Sequence, residues 1–415
     1  MGQATEPIPF HRPSIGEAER AAVLEVLDSG WLTTGSRAAA FEQAFADFVG
    51  SAHAVAVNSA TAALHLALEG LGVHESDEVI VPTYTFAASA EIVAYLRARP
   101  VLVDVDPLTA NIAPDAVAAA MSERTRVVEA VHIGGLPADL AGLLEVAGDV
   151  PIVEDVAHAF PSPMGAFGGR FAGTIGRAGA YSFYATKTIT TGEGGMLVTD
   201  DDGLADRARS MRLHGIGRDA WKRYATGGSW HYEIRAAGFK DNLTDLAAAL
   251  GLAQLARARE LREARVAIAR RYLEGLAAAA ADELVTLPVG IDDPAHAWHL
   301  FVVRLGKATR RRDVVDRDLP GVADLPAPLH LTASRRARAI EALAAEGIST
   351  SVHFIPLHLH PLYRAMGYKP GQFPDAEAAY AGAISLPIWP GMTDAQIDRV
   401  VTSLVSALGG TPARS

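Results

Sequence analysis

The 415-residue sequence contains no cysteine, which excludes disulfide bonds and cysteine-ligated zinc sites. It also lacks an uninterrupted apolar stretch of the length that a membrane span requires. The first residues, MGQATEPIPFHRPS, do not combine a basic segment with an apolar run, so a secretory signal is not indicated. These absences predict a cytoplasmic protein without a membrane segment.

Positive charge is in deficit, since 37 Lys and Arg residues against 48 Asp and Glu residues give a net charge of −11. Such a chain is poorly suited to nucleic acid or an anionic membrane surface as its main partner. A hydrophobic content of 49% and a charged content of 20% are typical of a globular chain with a sizeable core. The overall charge still allows a local basic pocket for a phosphorylated small molecule.

Several common catalytic motifs are also missing. The sequence has no P-loop, no dinucleotide-binding G-x-G-x-x-G between a strand and a helix, and no G-x-S-x-G nucleophile elbow. It has no H-E-x-x-H either. His353, His358 and His360 are close together, but a proline interrupts their spacing and no carboxylate lies nearby. We therefore predict no metal site.

Short apolar runs alternate with helical patterns through the first two-thirds of the chain. The predicted strands lie at 53–58, 78–82, 100–106, 126–133, 150–155, 178–185 and 194–200. Strands separated by helices indicate a mainly parallel sheet covered on both faces, with ligands bound beyond the carboxyl ends of its strands. A single long connecting helix is predicted from about 243 to 276, before a smaller α/β region with strands at 299–305 and 349–354.

Four features meet at the predicted carboxyl edge of this sheet. Glu154 and Asp155 end one apolar strand, where a carboxylate is costly unless it is paired, and Lys187 follows another. The segment 58–61 lies at a strand-to-helix junction whose free N–H groups attract phosphate, and Phe86 supplies an aromatic ring. Taken singly, Asp155 could be a helix N-cap and Lys187 a surface lysine. Together they match the needs of pyridoxal 5′-phosphate (PLP): an amine, a carboxylate, an anion site and a stacking ring.

The sequence resembles the DegT/StrS-type nucleotide-sugar aminotransferases, which have the type I PLP-dependent transferase fold of the aspartate aminotransferase superfamily. The resemblance covers nearly the whole chain, and its most specific block is SFYATKTITTGEGGMLVTDD at 182–201. Other matching segments are GWLTTG (30–35), EDVAHA (154–159) and SLPIWPGMTD (385–394). The resemblance implies an α/β protein with a large PLP-binding domain at 1–258, built on a mainly parallel seven-stranded sheet flanked by helices. A smaller C-terminal α/β domain is expected at 259–415.

The resemblance also implies roles for individual residues. Lys187 matches the lysine that binds PLP as a Schiff base and, once freed, moves a proton between the substrate carbon and the cofactor. Asp155 matches the partner of the pyridine nitrogen, and His158 a residue near the phenolic oxygen of the cofactor. Phe86 matches the aromatic ring that stacks on PLP.

Further contacts are implied for the phosphate of the cofactor and for the substrate. The phosphate contacts within the subunit would be Ser59, Ala60, Thr61 and Ser182. Lys240 and Asn242 match a segment that reaches the phosphate from the neighbouring subunit, so a two-fold homodimer is expected. The expected sugar-site residues are Trp31, Thr33, Thr34, His353 and His358. For the two histidines, polar packing beneath a loop is the alternative.

The reaction that the resemblance implies has two halves. L-glutamate donates its amino group to the cofactor, giving the pyridoxamine form (PMP), and the group then passes to a keto sugar. The expected acceptor is the C4 keto group of a nucleotide-linked 4-keto-6-deoxy sugar, in the biosynthesis of a polysaccharide or an antibiotic. The alternatives are amination at C3, dehydration of the sugar, and a non-enzymatic PLP-fold sensor. Lys187 disfavours the dehydratase, whose lysine is replaced by histidine, and the lack of a basic DNA-binding segment disfavours the sensor.

Overall fold

The computed structural model describes residues 6–216, 232–307 and 313–411. Its helices are α1 (Glu17–Ser29), α2 (Ser36–Val49), α3 (Ala60–Gly70), α4 (Ala87–Tyr95), α5 (Pro114–Ala120), α6 (Leu140–Ala147), α7 (Asp202–Met211), α8 (Asp245–Ala256), α9 (Ala258–Ala281), α10 (His330–Ala345), α11 (Pro361–Ala365), α12 (Pro374–Gly382) and α13 (Asp394–Ala407). Its strands are β1 (His53–Val57), β2 (Glu78–Pro82), β3 (Arg99–Val103), β4 (Thr125–Val131), β5 (Ile152–Asp155), β6 (Pro163–Met164), β7 (Arg170–Phe171), β8 (Ala178–Ser182), β9 (Gly195–Thr199), β10 (Val285–Thr286), β11 (Phe301–Leu305) and β12 (Ala383–Leu386).

A mainly parallel seven-stranded sheet forms the centre of the larger part of the molecule, as predicted. Its strand order is β1-β9-β8-β5-β4-β2-β3, and only β9 runs antiparallel to its neighbours. β5 lies in the middle, where Asp155 is paired with Val131 of β4 and Ala180 of β8. The carboxyl end of β5 therefore opens at the centre of one sheet edge, where ligands of such sheets bind.

Alternation along β5 sends neighbouring residues to opposite faces of the sheet. Val153 packs in the apolar core beneath α3 and α4, whereas Ile152 packs in the core on the other face, with α2 and α6. Asp155 shares the face of Val153, since its carboxylate contacts Ser89 of α4. Glu154 points to the opposite face and accepts hydrogen bonds from the turn after β7. Two adjacent carboxylates are thereby placed in two different environments.

A second, smaller sheet lies in the C-terminal part, in the order β10-β11-β12. Its apolar core includes residues of α9, α10 and α13, and also Ile8 from the N-terminal segment. Ile8 forms a bridge with Ile348, and the indole N–H of Trp389 donates to the carbonyl of Pro9 at 3.1 Å. The N-terminal segment thus packs against the C-terminal core. The predicted domain boundary after residue 258 coincides with the start of α9 and stays a prediction.

Two predicted elements differ in the structure. The single helix expected over 243–276 is two helices, α8 and α9, because Arg257 between them leaves the helical conformation (φ −107°, ψ 5°). The Arg257 side chain is held there by Glu19, with 3.1 Å between Nη1 and Oε1. The strand expected over 349–354 reduces to one bridge, between Ser351 and Ser385. No helix within the described ranges is both long and apolar enough to cross a membrane.

Candidate active site

A cavity of about 540 Å³ opens at the carboxyl edge of the large sheet. Its wall combines the N-terminus of α3, the end of β5, the turn between β8 and β9, and segments from both chain termini. Nine of the residues predicted from the sequence line it: Ser59, Ala60, Thr61, Phe86, Asp155, His158, Ser182, Lys187 and His353. Within the part of the chain that the structure describes, no group of three or more metal-binding side chains occurs.

The N-terminus of α3 forms one end of the cavity. Ser59 is its N-cap, with extended backbone (φ −166°, ψ 160°), and its hydroxyl accepts from the N–H of Ala62 at 3.1 Å. The N–H groups of Ala60 and Thr61 lie in the first turn, where a helix offers no internal acceptor. Gly195 of β9 approaches so closely that an added Cβ would lie 2.4 Å from the carbonyl carbon of Ser59. A tight junction with free N–H donors is suited to bind a phosphate.

Asp155 is buried beneath the opposite part of the cavity. One carboxylate oxygen accepts from the N–H of Ala157 at 3.0 Å, and the other accepts from the hydroxyl of Ser89 at 3.1 Å. Burial raises the pKa of Asp155, while the Ala157 N–H and the positive charge of Lys187 act in the opposite sense. Because both oxygens are already positioned by the protein, a cation bound in the cavity would meet an oriented carboxylate.

A further carboxyl group lies near Asp155, on β4. Glu129 is fully buried, and neither of its side-chain oxygens has a hydrogen-bond partner among the described residues. Burial, together with the nearby charge of Asp155, raises the pKa of Glu129 well above its ordinary value. Burial therefore favours the protonated, neutral form of the Glu129 carboxyl group. The sequence signal was an acidic residue within the apolar run of 126–133, which strand periodicity alone did not explain.

Lys187 lies on the turn between β8 and β9, partly exposed to the cavity. β8 ends at Ser182, three residues earlier than predicted, and the backbone N–H of Lys187 donates to the carbonyl of Tyr184 at 2.9 Å. Burial lowers the pKa of Lys187 to about 8, against the attraction of Asp155 and with the support of the positive charge of Arg265. About a tenth of this amine is thus an unprotonated nucleophile at pH 7, where an ordinary lysine is almost fully charged.

Two histidine rings lie beside this amine. The Nε2 atom of His299 is 3.4 Å from Nζ of Lys187, and the ring of His158 is 4.4 Å from that of His299, centroid to centroid. Burial lowers the pKa of both rings well below the ordinary value, so both are neutral. The N–H of Gly134 donates to Nδ1 of His158 at 3.3 Å, which assigns the proton of that ring to Nε2. His158 therefore offers a hydrogen-bond donor.

The two histidines predicted for the sugar site differ in position. His353 lines the cavity, with its Nδ1 at 2.8 Å from the hydroxyl of Ser385. His358 is fully buried outside the cavity wall. Its ring nitrogens lie 2.8 Å from the Thr83 hydroxyl and 2.7 Å from a Glu377 carboxylate oxygen. Because both nitrogens are satisfied inside the core, His358 fits the alternative of polar packing, and it does not lie on the cavity wall.

The remaining predicted residues form a second group, outside the cavity wall. The amide of Asn242 donates to the hydroxyl of Thr34 at 2.6 Å, and the indole N–H of Trp31 donates to the Thr34 carbonyl at 3.2 Å. Lys240 contacts the side-chain oxygen of Asn242. Thr33 lies on the same loop as Trp31 and Thr34, and its carbonyl accepts from the N–H of Asp245 at 3.2 Å. The loop 31–34 and the segment 240–242 thus form one surface group, which we call the 31/242 group.

Sequence reasoning missed four residues that support the site: Ser89, Glu129, Arg265 and His299. Arg265 lies on the buried face of α9 between Leu261 and Ile268, where helical spacing calls for an apolar residue. An arginine at a position where the helical pattern calls for an apolar residue was a signal that the sequence offered for a buried functional cation. His299 had none, because its place beside Lys187 depends on contacts with distant segments of the chain.

The model of the DegT/DnrJ/EryC1/StrS aminotransferase family matches residues 13–322 and 322–405, which is nearly the whole chain. The chain belongs to this family. It is a PLP-dependent aminotransferase with the type I fold. The cavity fits that cofactor, since a helix N-terminus, a buried carboxylate and an amine of lowered pKa stand around it.

Curated and solved relatives cover the same length. The spore coat polysaccharide biosynthesis protein SpsC of Bacillus subtilis is 42% identical over 407 residues, which cover 97% of each chain. A candidate sugar aminotransferase of Streptococcus pneumoniae, Spr1654, has a TM-score of 0.84 in its PMP form at 29% identity, covering 97% of this chain and 98% of that one. It has also been solved in PLP and cofactor-free forms. The aminotransferase TlmJ of Streptoalloteichus hindustanus is 32% identical, with a TM-score of 0.81 and coverage of 97% and 99%.

Proposed function

We propose that this aminotransferase moves the amino group of L-glutamate to the C4 keto group of a nucleotide-linked 4-keto-6-deoxy sugar. The observation that carries the proposal is the single cavity that unites the N-terminus of α3, the carboxylate of Asp155 and the amine of Lys187. The names of SpsC, which acts in polysaccharide biosynthesis, and of the candidate sugar aminotransferase Spr1654 support a sugar acceptor. The product would enter the biosynthesis of a polysaccharide or an antibiotic glycoside.

Each part of the cofactor has a proposed partner in the cavity. Lys187 would hold the aldehyde carbon, Asp155 the ring nitrogen, and Phe86 one face of the ring. The phosphate would bind the N-terminus of α3 through Ser59, Ala60 and Thr61, with the hydroxyl of Ser182. When bound, PLP supplies an electron sink that stabilises negative charge on the substrate carbon.

The protein side chains would orient the reactants and move protons. The unprotonated Nζ of Lys187 takes the proton from the amino-bearing carbon of the donor and later delivers a proton to the acceptor carbon. Asp155, fixed by Ala157 and Ser89, keeps a proton on the ring nitrogen. The Nε2–H of His158 donates to the phenolic oxygen of the cofactor. His353 is the proposed sugar contact on the far wall, since it lines the same cavity.

We place the 31/242 group at a subunit interface, where it completes the site of the partner. Its members do not line the cavity of their own chain. Phe86, the proposed stacking ring, is 62% exposed in the single chain, as expected if a second subunit covers the cavity mouth. In a two-fold homodimer, Asn242 and Lys240 would then reach the cofactor phosphate of the other subunit, while Trp31, Thr33 and Thr34 would face its sugar. Amination at C3 of the sugar is the alternative reaction, and it would use the same residues of the site.

The proposal predicts a spectral cycle. L-glutamate should bleach the visible absorbance of the bound cofactor, and the correct keto sugar should restore it. A panel of dTDP-, UDP- and GDP-linked sugars with keto groups at C4 or C3 then identifies the acceptor, and NMR of the aminated product fixes the carbon. A 3-keto sugar that restores the absorbance where every 4-keto sugar fails would replace C4 by C3. Absence of any spectral change with both substrates would overturn the proposal.

A further inference from the structure

Arg265 on α9 is a buried cation without a carboxylate partner. Its side chain is only 2% exposed, although arginine is rarely buried without a paired charge. None of the ion pairs formed among the described residues includes it. Burial alone lowers the pKa of Arg265 to about 10, so the guanidinium stays charged at neutral pH. An unpaired charge in the interior is costly, and its retention requires a reason.

The guanidinium hydrogen-bonds to three backbone carbonyls from separate parts of the chain. Nη1 donates to the carbonyl of Ile388 at 2.8 Å and to that of His299 at 3.3 Å, and Nη2 donates to the carbonyl of Thr186 at 3.4 Å. All three acceptor residues line the cavity, and Thr186 immediately precedes Lys187. One side chain therefore joins the turn that carries Lys187 to the segments that face it.

The segment that carries His299 depends on such support. Trp298, just before it, has a left-handed backbone (φ 49°), which is strained for a bulky residue. The segment packs so tightly on Gly135 that an added Cβ there would lie 2.9 Å from the backbone nitrogen of His299. Since these residues precede β11 and belong to no regular element, the bond from Arg265 to the His299 carbonyl helps to fix the imidazole beside Lys187.

The same cation acts electrostatically on groups of the cavity. Its charge contributes to the lowered pKa of His11, His299 and Lys187. For Lys187, burial is the main cause of the lowered pKa, and the positive charge of Arg265 acts in the same sense, against the attraction of Asp155. In a poorly solvated site, a like charge is screened less than it is in water, so it disfavours the protonated amine.

We propose that Arg265 is a positioning residue for the amine of Lys187. Its guanidinium fixes the three backbone segments around the amine, and its permanent charge favours the unprotonated form that reacts. The inference rests on the proposed role of Lys187 as the amine that holds the cofactor. The protonation of this amine can nevertheless be measured without cofactor or substrate, so a failure here is distinct from a failure of the proposed function.

The test is the pH dependence of Lys187 acetylation in the full-length, cofactor-free protein. Short pulses of acetic anhydride from pH 6 to 10, followed by mass spectrometry of the Lys187 peptide, give the midpoint of the amine, expected near 8 in the unchanged chain. Arg265→Gln and Arg265→Met should raise this midpoint by about half a unit to one unit, which slows acetylation about 3- to 10-fold at pH 7. Arg265→Gln retains an amide donor, so it remains informative if Arg265→Met does not fold.

Arg262, one turn earlier on α9, provides the matched control. Its guanidinium also bonds backbone carbonyls, including that of His296 at 3.1 Å, but it lines a different cleft and does not contact the cavity. Arg262→Gln and Arg262→Met should lower the thermal midpoint without moving the acetylation midpoint of Lys187. The proposal is wrong if the Arg265 variants keep the original acetylation midpoint. An equal shift in the Arg262 variants would also overturn it, because it would reflect general loosening.

Discussion

Lys187→Ala is expected to lower kcat by about 10⁴-fold or more, because under the proposed function the variant would lose both the covalent attachment of the cofactor and the base that moves the proton. No other lysine of the described residues lines the cavity, so none can take over. The measurement is the rate of the glutamate half-reaction, followed by cofactor absorbance. Borohydride treatment supplies a second reading, since it should add the mass of one cofactor to the Lys187 peptide of the unchanged enzyme only.

The control for this prediction is Lys369→Ala, which removes an exposed lysine far from the cavity wall and should leave kcat unchanged. A mixing experiment extends the test to the subunit arrangement. Lys187→Ala should be inactive by itself, and Asn242→Ala should be impaired if the 31/242 group serves the partner site. Mixed dimers of the two should then regain one intact site. Retained transamination in Lys187→Ala would show that another residue holds the cofactor, and a lack of recovery on mixing would place Asn242 in its own subunit's site.

Asp155→Asn should lower kcat by about 10²- to 10³-fold while the protein folds and binds cofactor. The amide oxygen can still accept from the N–H of Ala157, now at 3.0 Å from the carboxylate, so the local backbone is retained. Under the proposed function, the variant would lack the negative charge that keeps a proton on the ring nitrogen, and the cofactor would become a weaker electron sink. Stopped-flow measurement of the glutamate half-reaction separates this loss of rate from a loss of cofactor affinity.

The adjacent residue supplies the control, since Glu154 carries the same functional group on the opposite face. Its carboxylate accepts from the N–H groups of Gly173, Ile175 and Gly176 at 2.6–2.8 Å. Glu154→Gln places an amide donor against these donors and should cost about 1–3 kcal/mol of folding stability. Its kcat should remain near that of the unchanged enzyme. If Asp155→Asn shows full activity, or if Glu154→Gln loses as much kcat, the assignment of Asp155 to the ring nitrogen is wrong.

The parts of the site that the sequence predicted lie at the ends of periodic elements. Apolar alternation located β5 and β8, and topology then placed Asp155 and Lys187 at one edge of a parallel sheet. The N-terminus of α3 followed in the same way, from the strand-to-helix junction at 58–61. In each case the signal was local, and the rule that brings the ends together is general.

The parts of the site that could not be predicted from the sequence depend on contacts between distant segments of the chain. The position of His299 requires the left-handed Trp298 and the close approach of Gly135, neither of which leaves a periodic trace. His358 was expected at the sugar site from the family resemblance, with polar packing as the alternative, whereas Glu377 and Thr83 hold it in the core. The 31/242 group joins two segments about 210 residues apart, so its existence on one surface could be learned only from the fold.

The neutral histidines have a consequence for the whole molecule through proton linkage. Seven of the 14 histidines have pKa values lowered chiefly by burial: His11, His65, His158, His296, His299, His353 and His358. As the pH falls below 6.5, the unfolded chain takes up protons at these rings more readily than the folded chain does. For His353 and His358, whose pKa is lowered to about 4, the cost is about 1.2 kcal/mol of stability each between pH 7 and 5.5.

Five carboxyl groups with raised pKa values favour the folded state as the pH falls: Glu129, Asp155, Asp241, Asp375 and Glu377. Four carboxyl groups with lowered pKa values act in the opposite sense, together with the seven histidines: Glu19, Glu78, Asp106 and Glu260. The net effect is acid lability, and the thermal midpoint at saturating cofactor should drop steeply between pH 6.5 and 5. A flat profile over that range would contradict the neutral state of these rings. The burial that lowers the pKa of Lys187 also keeps these imidazoles uncharged, and it thus sets an acid limit on the conditions in which the enzyme can remain folded.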